Sequence, residues 1–453
     1  MFHDFAARGL AAQNRRGARR LATIDMLARG IAENMPKGLP MAMDTEIAES
    51  RASSTQIASG TTHGFDSTNP TNHLAHHFSL YGADWSRFLT STTTMLQPLT
   101  CALGNGSDPT ANASGTAGLN VRFMTHADKF EIITLNYLGF RVRVNGKYTK
   151  AGMYGVQALN GDPANTYHFL FDFTGTEFEG TGLKLVEIVA DADFRFKGVR
   201  VPVAHTIASW PQAVALKAAL HGDSKVSTTS DSISDKRAAL HGPLSQIVQA
   251  LTGISDIWAN NQPGCGFFND SGGTRSDFVE AAAANFTGHK FDLVWSTASV
   301  NDWNKPADQA ACEAKVEEWL ATVLADNPDA IVILAGPWGS GNSQAYQANA
   351  PLALLQRAEK AVAARHPQNC AFIETIGNAV TNDSWILGTG TVSNIKGDGN
   401  ADLIQGTDGI HFSVGGHPII GARLVAETAK VLPLLASRIR DGVIAGVNDA
   451  DLR

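Results

Sequence analysis

The sequence predicts an α/β protein. A partly helical arm (residues 1–60) and an antiparallel β-sandwich of jelly-roll type (75–208) precede a parallel α/β domain (209–440) and a short tail (441–453). Three observations predict this. Apolar residues recur with a period of two from about residue 75, strand-like and helix-like stretches alternate after Trp210-Pro211, and polar motifs gather where those later strands end.

Composition narrows the choice of function. A length of 453 residues suits about two or three domains. With 43% hydrophobic and 17% charged residues, the chain can form a core of ordinary size. Lys+Arg 36 against Asp+Glu 43 gives a net charge of −7 and no bulk attraction to nucleic acid. No apolar run approaches the ~18 residues that span a bilayer. The N-terminus carries Arg8, Arg15, Arg16, Arg19 and Arg20 without the apolar stretch of a Sec signal peptide, so a cytoplasmic or a virion-associated protein is expected. Cys101, Cys265, Cys312 and Cys370 are scattered; buried thiols are expected, rather than a zinc site or a disulfide framework.

The arm would hold a helix from Phe5 to Asn34, broken by Pro36 and Pro40. Leu10, Leu21, Ile24, Met26, Leu27 and Ile31 give it a partial apolar stripe, suited to the protein's own body or to a partner chain. Its charge clusters in one half and no aromatic anchors follow, which disfavours a membrane-surface role. We expect residues 1–40 to be an attachment segment for an assembly or virion partner.

In the sandwich, Leu119–Phe123 and Phe130–Ile132 alternate, and Phe140–Val144 runs into Asn145-Gly146, a strong hairpin signal because both residues tolerate positive φ. Tyr167, Phe169, Phe171 and Phe173 share one strand face, as do Leu183, Leu185 and, less regularly, Ile188. Phe194–Phe196 and Val199–Val201 predict two further short strands. Aromatics at this spacing are more often a sandwich core than a ligand platform.

In the second half, strands are expected over Ala213–Leu220, Ser255–Ala259, Phe291–Ala298, Ala330–Ala335 and Ala371–Ile376. Helices would fill Lys236–Leu251, Ser276–Asn285, Asp308–Leu324, Ser343–Arg365 and His417–Ser437. Such alternation implies a parallel sheet covered on both faces, whose site lies beyond the carboxyl ends of its strands.

Four motifs fall at those ends. Gly222-Asp223-Ser224 closes the first strand, and a serine there stands exposed at the sheet edge, although Asp223 and Ser224 alone serve equally as helix caps. Gly272-Gly273 precede a helix and leave backbone N–H groups for an anion or an oxyanion, or form a plain turn. Ser299-Val300-Asn301-Asp302 follows the most strand-like run, where an Asn amide can face a developing oxyanion or simply close a turn. Asp408-Gly409-Ile410-His411 places a carboxylate three residues before an imidazole that it can orient from behind. His411 would then be general base for Ser224, whose hydroxyl is a weak nucleophile until its proton is removed.

In order and placement these blocks resemble the SGNH, or GDSL-type, esterases and lipases over residues 213–440. The family has G-D-S, then an essential Gly, then G-x-N-D, then D-x-x-H. The resemblance implies a flavodoxin-like α/β/α domain in which Ser224, His411 and Asp408 form the triad. The oxyanion hole would be Ser224 N–H, Gly272 N–H (Gly273 as fallback) and the Asn301 amide. Two positions depart from the pattern: Lys225 stands where the family usually has an apolar residue, and Ser299 replaces a Gly. A competing serine, Ser232, lacks a preceding Gly. No metal ligands cluster in the sequence, and the implied chemistry needs no cofactor.

A jelly-roll-like domain ahead of an SGNH domain is similar to the arrangement in some carbohydrate acetylesterases. That implies removal of acetyl or another small acyl group from a polysaccharide. Trp303 and Trp338 are expected on the catalytic rim as sugar contacts, with Gly273 and Asp302, while Trp85 and Trp385 are further exposed aromatics. The competing readings are a virion- or surface-associated glycan-binding protein on a hydrolase scaffold, and a lipase or thioesterase using the same triad.

Overall fold

The computed structural model describes residues 2–64, 77–82, 119–135, 139–155, 166–190, 194, 196–223, 241–262, 264–270, 272–273, 276–298, 300–305, 308–339, 350–378, 380 and 383–451. Helix α1 (Phe2–Asn34) leads into eleven strands: β1 (Ser50–Ala52), β2 (Gly60–Gly64), β3 (Ser79–Tyr81), β4 (Leu119–Thr125), β5 (Lys129–Leu135), β6 (Phe140–Val144), β7 (Lys147–Tyr148), β8 (Thr166–Asp172), β9 (Lys184–Ala190), β10 (Phe196–Pro202) and β11 (Ile207–Ser209). They make two antiparallel sheets, ordered β1-β8-β5-β10-β2 and β11-β4-β9-β6-β7, with β3 paired to β4. This is the expected β-sandwich.

The period of two explains its core. Phe123, Phe130, Phe169, Phe171 and Phe173 point inward and are buried, with Phe123 and Phe130 meeting edge-on at 5.5 Å. Asn145 (φ 48°) and Gly146 (φ 85°) make the tight β6–β7 turn. Three expectations are corrected here. Phe194–Phe196 and Val199–Val201 are not separate strands; Phe196–Pro202 is one strand, bulged where Gly198 (φ 148°) shifts its register against β5. The region assigned to the arm contributes β1, and β2 lies across its end and the unassigned stretch that follows; they pair with β8 and β10, so the sandwich reaches back to residue 50. Residues 441–451 are not a separate tail but continue the last helix.

The second domain has β12 (Lys217–Asp223), α2 (Leu244–Thr252), β13 (Asp256–Gln262), α3 (Phe278–Phe286), β14 (Leu293–Thr297), α4 (Gln309–Asp326), β15 (Ile331–Ala335), α5 (Ala350–Arg365), β16 (Cys370–Ile373), the short α6 (Ala401–Ile404) and α7 (Gly416–Asp451). All four strand pairings are parallel, in the order β13-β12-β14-β15-β16. Alternate residues face opposite layers. Ala219, Val294 and Val332 join the core formed with α3, α4 and α5, whereas Leu220, Trp295 and Ile333 join the core formed with α1, α2 and α7.

The apolar stripe of α1 therefore covers the chain's own sheet, the first of the two partners its pattern suited. Ile24, Leu27 and Ile31 are buried, Gly30 approaches Thr252 so closely that a Cβ would lie 2.3 Å from its carbonyl, and Arg20 donates to Pro328 O at 2.8 Å. Arg19 pairs with Asp329 at 3.0 Å. Among the described residues no helix is long and apolar enough to cross a membrane.

Candidate active site

Ser224 lies outside the described residues, as do Lys225, Ser232, Ser299 and Trp85. The strand that leads to Ser224 is well defined: β12 ends at Asp223, on the carboxyl edge of the sheet. Below that end His221 is fully buried, with Trp319 Nε1 donating to its Nδ1 at 3.2 Å and the ring of Phe278 at 4.8 Å. Burial pushes its pKa down to about 3, so it is a neutral packing group. Thr297 Oγ1 donates to His221 O at 3.2 Å and ties β14 to the same point.

The second and third motifs meet through the loop 265–270. The turn Val300–Asp302 follows β14, and Asn301 Nδ2 donates to Cys265 O at 3.1 Å while Asn269 Nδ2 donates to Asn301 O at 3.2 Å. Asp302 was expected near the substrate. Instead it is fully buried, and its carboxylate accepts the backbone N–H groups of Phe267 (2.8 Å), Phe268 (3.0 Å) and Asn269 (3.0 Å). Gly266 leaves the room for this: a Cβ there would lie 2.5 Å from both carboxylate oxygens. Asp302 is thus a positioning residue that fixes the loop leading to Gly272.

Gly272 (φ 74°) and Gly273 (φ 78°) both take left-handed backbone that an L side chain rarely adopts, and both are exposed. The Gly272 N–H donates to Asp270 Oδ1 at 3.0 Å. The Gly273 N–H, followed by that of Gly272, holds the Asp270 carboxyl below its ordinary range against the opposing effect of desolvation. The expected oxyanion donor is therefore engaged by Asp270 in this geometry.

The fourth motif forms a compact loop. Gly409 (φ 67°) turns the chain, Gly406 N–H donates to His411 O at 2.8 Å, and Gln405 bridges Phe412. Asp408 Oδ2 accepts from His411 Nδ1 at 2.5 Å, and Asp408 Oδ1 accepts the N–H groups of Ile410 (2.9 Å) and His411 (3.0 Å). Desolvation raises the Asp408 pKa, but the His411 hydrogen bond and the two amides outweigh it and hold the carboxyl below its ordinary value. Both side chains are partly exposed. The loop rests on the segment after β15, where Phe412 packs on Trp338 with ring centroids 4.9 Å apart.

That contact corrects a second expectation. Trp338 (5% exposed) and Trp385 (3%) are packed against each other, centroids 5.7 Å apart, as support beneath the His411 loop rather than as an open sugar platform. Trp303 stands 55% exposed beside the Asn301 turn. Periodicity did not reveal Glu359, which lies inside α5. It is fully buried, neither of its carboxylate oxygens has a hydrogen-bond partner among the described residues, and burial followed by the charge of Asp302 raises its pKa well above the ordinary carboxylate range. Cys312 and Cys370 are buried free thiols and Cys265 is buried as well; Cys101 lies outside the described residues. No three His, Cys, Asp or Glu side chains among the described residues form a metal-ligand group.

Known structures share this architecture. A salicylyl-acyltransferase from a tetracycline biosynthetic pathway superposes with a TM-score of 0.54 at 14% identity, over 83% of this chain and 99% of its own. A family two carbohydrate esterase from Cellvibrio japonicus superposes with a TM-score of 0.50 at 13% identity, over 83% and 99%. The chain shares the fold of these two enzymes. An acetyl xylan esterase from the rumen bacterium Butyrivibrio proteoclasticus shares it too, at 13% identity and a TM-score of 0.50 over 83% and 100%. No protein-family model matches the sequence, and no curated protein matches it. Within this fold, Gly222-Asp223 end β12, Asn301-Asp302 follow β14, and the Asp408–His411 loop packs on the segment after β15, all on one edge of the sheet.

Proposed function

We propose that the protein is a serine esterase that removes acetyl or another small acyl group from a polysaccharide. The observation that carries this reading is the Asp408–His411 pair, with Nδ1–H held on the carboxylate, at the carboxyl edge of an SGNH-fold sheet whose first strand ends in Gly-Asp before a serine. Nδ1–H donation to Asp408 makes Nε2 the basic nitrogen. In the proposed reaction Nε2 takes the Ser224 hydroxyl proton as Oγ attacks the ester carbonyl. The imidazolium then returns that proton to the departing sugar oxygen, leaving an acyl-serine and a free sugar hydroxyl. Water, deprotonated by His411, attacks the acyl-serine and releases the carboxylic acid.

The oxyanion would be held by the N–H groups of Ser224 and Gly272 and by the Asn301 amide. Each such donor contributes about 3–4 kcal/mol in other hydrolases. Asp270 must release the Gly272 N–H for that donor to act. Trp303, exposed beside Asn301, and Gly273 are the proposed substrate contacts. The carbohydrate esterases that share the fold support a glycan ester as substrate. Attachment to a virion or another assembly through residues 1–40 would have to use the outward face of α1, because its apolar face is covered.

The test is acetate release from acetylated polysaccharides combined with a p-nitrophenyl ester series of increasing chain length. The expected result is acetate release and a preference for the shortest esters. Turnover of long acyl chains or phospholipids alone would assign the site to a lipase.

A further inference from the structure

The candidate catalytic groups lie at one end of the parallel strands. At the other end, where β12 and β13 begin, the two domains line a half-open cavity of about 670 Å3. Seven residues of β12 separate it from Asp223, about 20 Å at the usual rise per strand residue. One wall is the outer face of the β4-β9-β6 sheet, which carries Arg122, Arg143 and Glu187. The facing wall includes Ser255 and Trp210.

Charge in this cavity is unbalanced. Arg122 (5% exposed) and Arg143 (6% exposed) are both nine-tenths buried. Glu187 alone among the described residues pairs with either, through Arg143 Nη2 at 2.7 Å and Arg122 Nε at 4.0 Å. Asn120 Nδ2 also donates to Glu187, at 2.6 Å. Two guanidinium groups bring ten N–H donors. Arg122 Nη1 reaches Ser255 Oγ at 2.8 Å, yet neither Nε has a hydrogen-bond acceptor among the described residues. The Arg122 guanidinium also lies 3.5 Å from the Trp210 ring centroid, which fixes its plane. The other charged lining residues leave the inner excess unchanged: Glu33 and Lys37 are exposed and of opposite sign, and Lys147 is paired with Glu177 and Asp44.

We propose that this interdomain cavity binds a small organic anion, its oxyanion held by Arg122 and Arg143, at a site separate from the ester-cleaving centre. A buried cation without a partner is unfavourable, and a carboxylate or phosphate restores neutrality through geometry that suits the guanidinium fork. The volume admits a ligand the size of a sugar acid or sugar phosphate with room to spare.

Calorimetric titration of the full chain with D-glucuronate, inorganic phosphate and D-glucose tests this. Glucuronate, phosphate or both should bind while glucose does not. Glucuronate alone would indicate a carboxylate ligand, and phosphate alone a phosphate ligand. Arg143→Gln should weaken binding by at least about tenfold, the loss of a charge-assisted contact, with ester hydrolysis unchanged. Ala213→Trp, at an exposed lining position away from the ion pair, should weaken binding too, and it serves if Arg143→Gln does not fold. Binding of neither anion, or equal affinity in wild type and these variants, would overturn the proposal.

Discussion

His411 Nδ1 lies 2.5 Å from Asp408 Oδ2, and the same carboxylate accepts the backbone N–H of His411 through Oδ1. One aspartate thus fixes both the ring and the backbone of the proposed base. Asp408→Asn keeps the shape but allows the amide to donate toward Nδ1, which favours the tautomer with its proton on Nε2. Steady-state kinetics on p-nitrophenyl acetate should show kcat falling by about 10³–10⁴, with little change in KM.

Asp302 organises the loop before Gly272 through three amide N–H groups. Asp302→Asn leaves one of them facing an amide donor inside a buried site. We expect a loss of about 2–3 kcal/mol in stability and a lower kcat from a misplaced Gly272. Gly266→Ala should act alike, because its methyl would enter the space of the Asp302 carboxylate. Denaturant unfolding and kinetics on the same preparations check both effects. An exposed residue such as Lys305 gives the control.

Glu359 links pH to stability. Its folded pKa is raised well above the ordinary 4.5, so the folded chain keeps a proton that the unfolded chain has released. Its contribution is fully present below pH 4.5 and is lost as pH rises through the folded value. Glu359→Gln cannot ionise. Unfolding free energies measured from pH 4 upward should therefore fall less steeply in the variant than in the wild type. Parallel curves would remove Glu359 as the titrating group.

Helix α1 predicts a stability effect, because its apolar face packs on the body of the protein. Leu27 is fully buried against the face shared with α2 and α7. Leu27→Ala should cost about 2–5 kcal/mol. Deleting residues 1–40 should lower the thermal midpoint and expose apolar surface, read as increased binding of a hydrophobic dye.

Local signals were legible in the sequence where chemistry sits within a few residues. Asp408 and His411 are three apart, so one loop decides their geometry, and Asn145-Gly146 announce their turn by positive φ alone. The strands of the parallel sheet followed their periods to within a few residues, whereas α2 begins at Leu244 rather than Lys236 and α7 runs to Asp451 rather than Ser437. What stayed hidden depends on distant partners. Gly60–Gly64 has no apolar alternation and becomes a strand only by pairing with β10. Asp302 reads as an exposed motif residue until the loop 33–35 residues earlier in the chain closes over it. Trp338 and Trp385 sit in segments without regular structure, where periodicity says nothing about burial. The stripe of α1 was visible, but its partner face is built from segments about two hundred or more residues away.

The most direct test of the central claim is mass spectrometry of the full chain after reaction with a fluorophosphonate. The account predicts one adduct, on the peptide carrying Ser224, absent in Ser224→Ala and formed far more slowly in His411→Ala. An adduct on Ser232 instead, or labelling of Ser224 at the same rate without the imidazole, would contradict it.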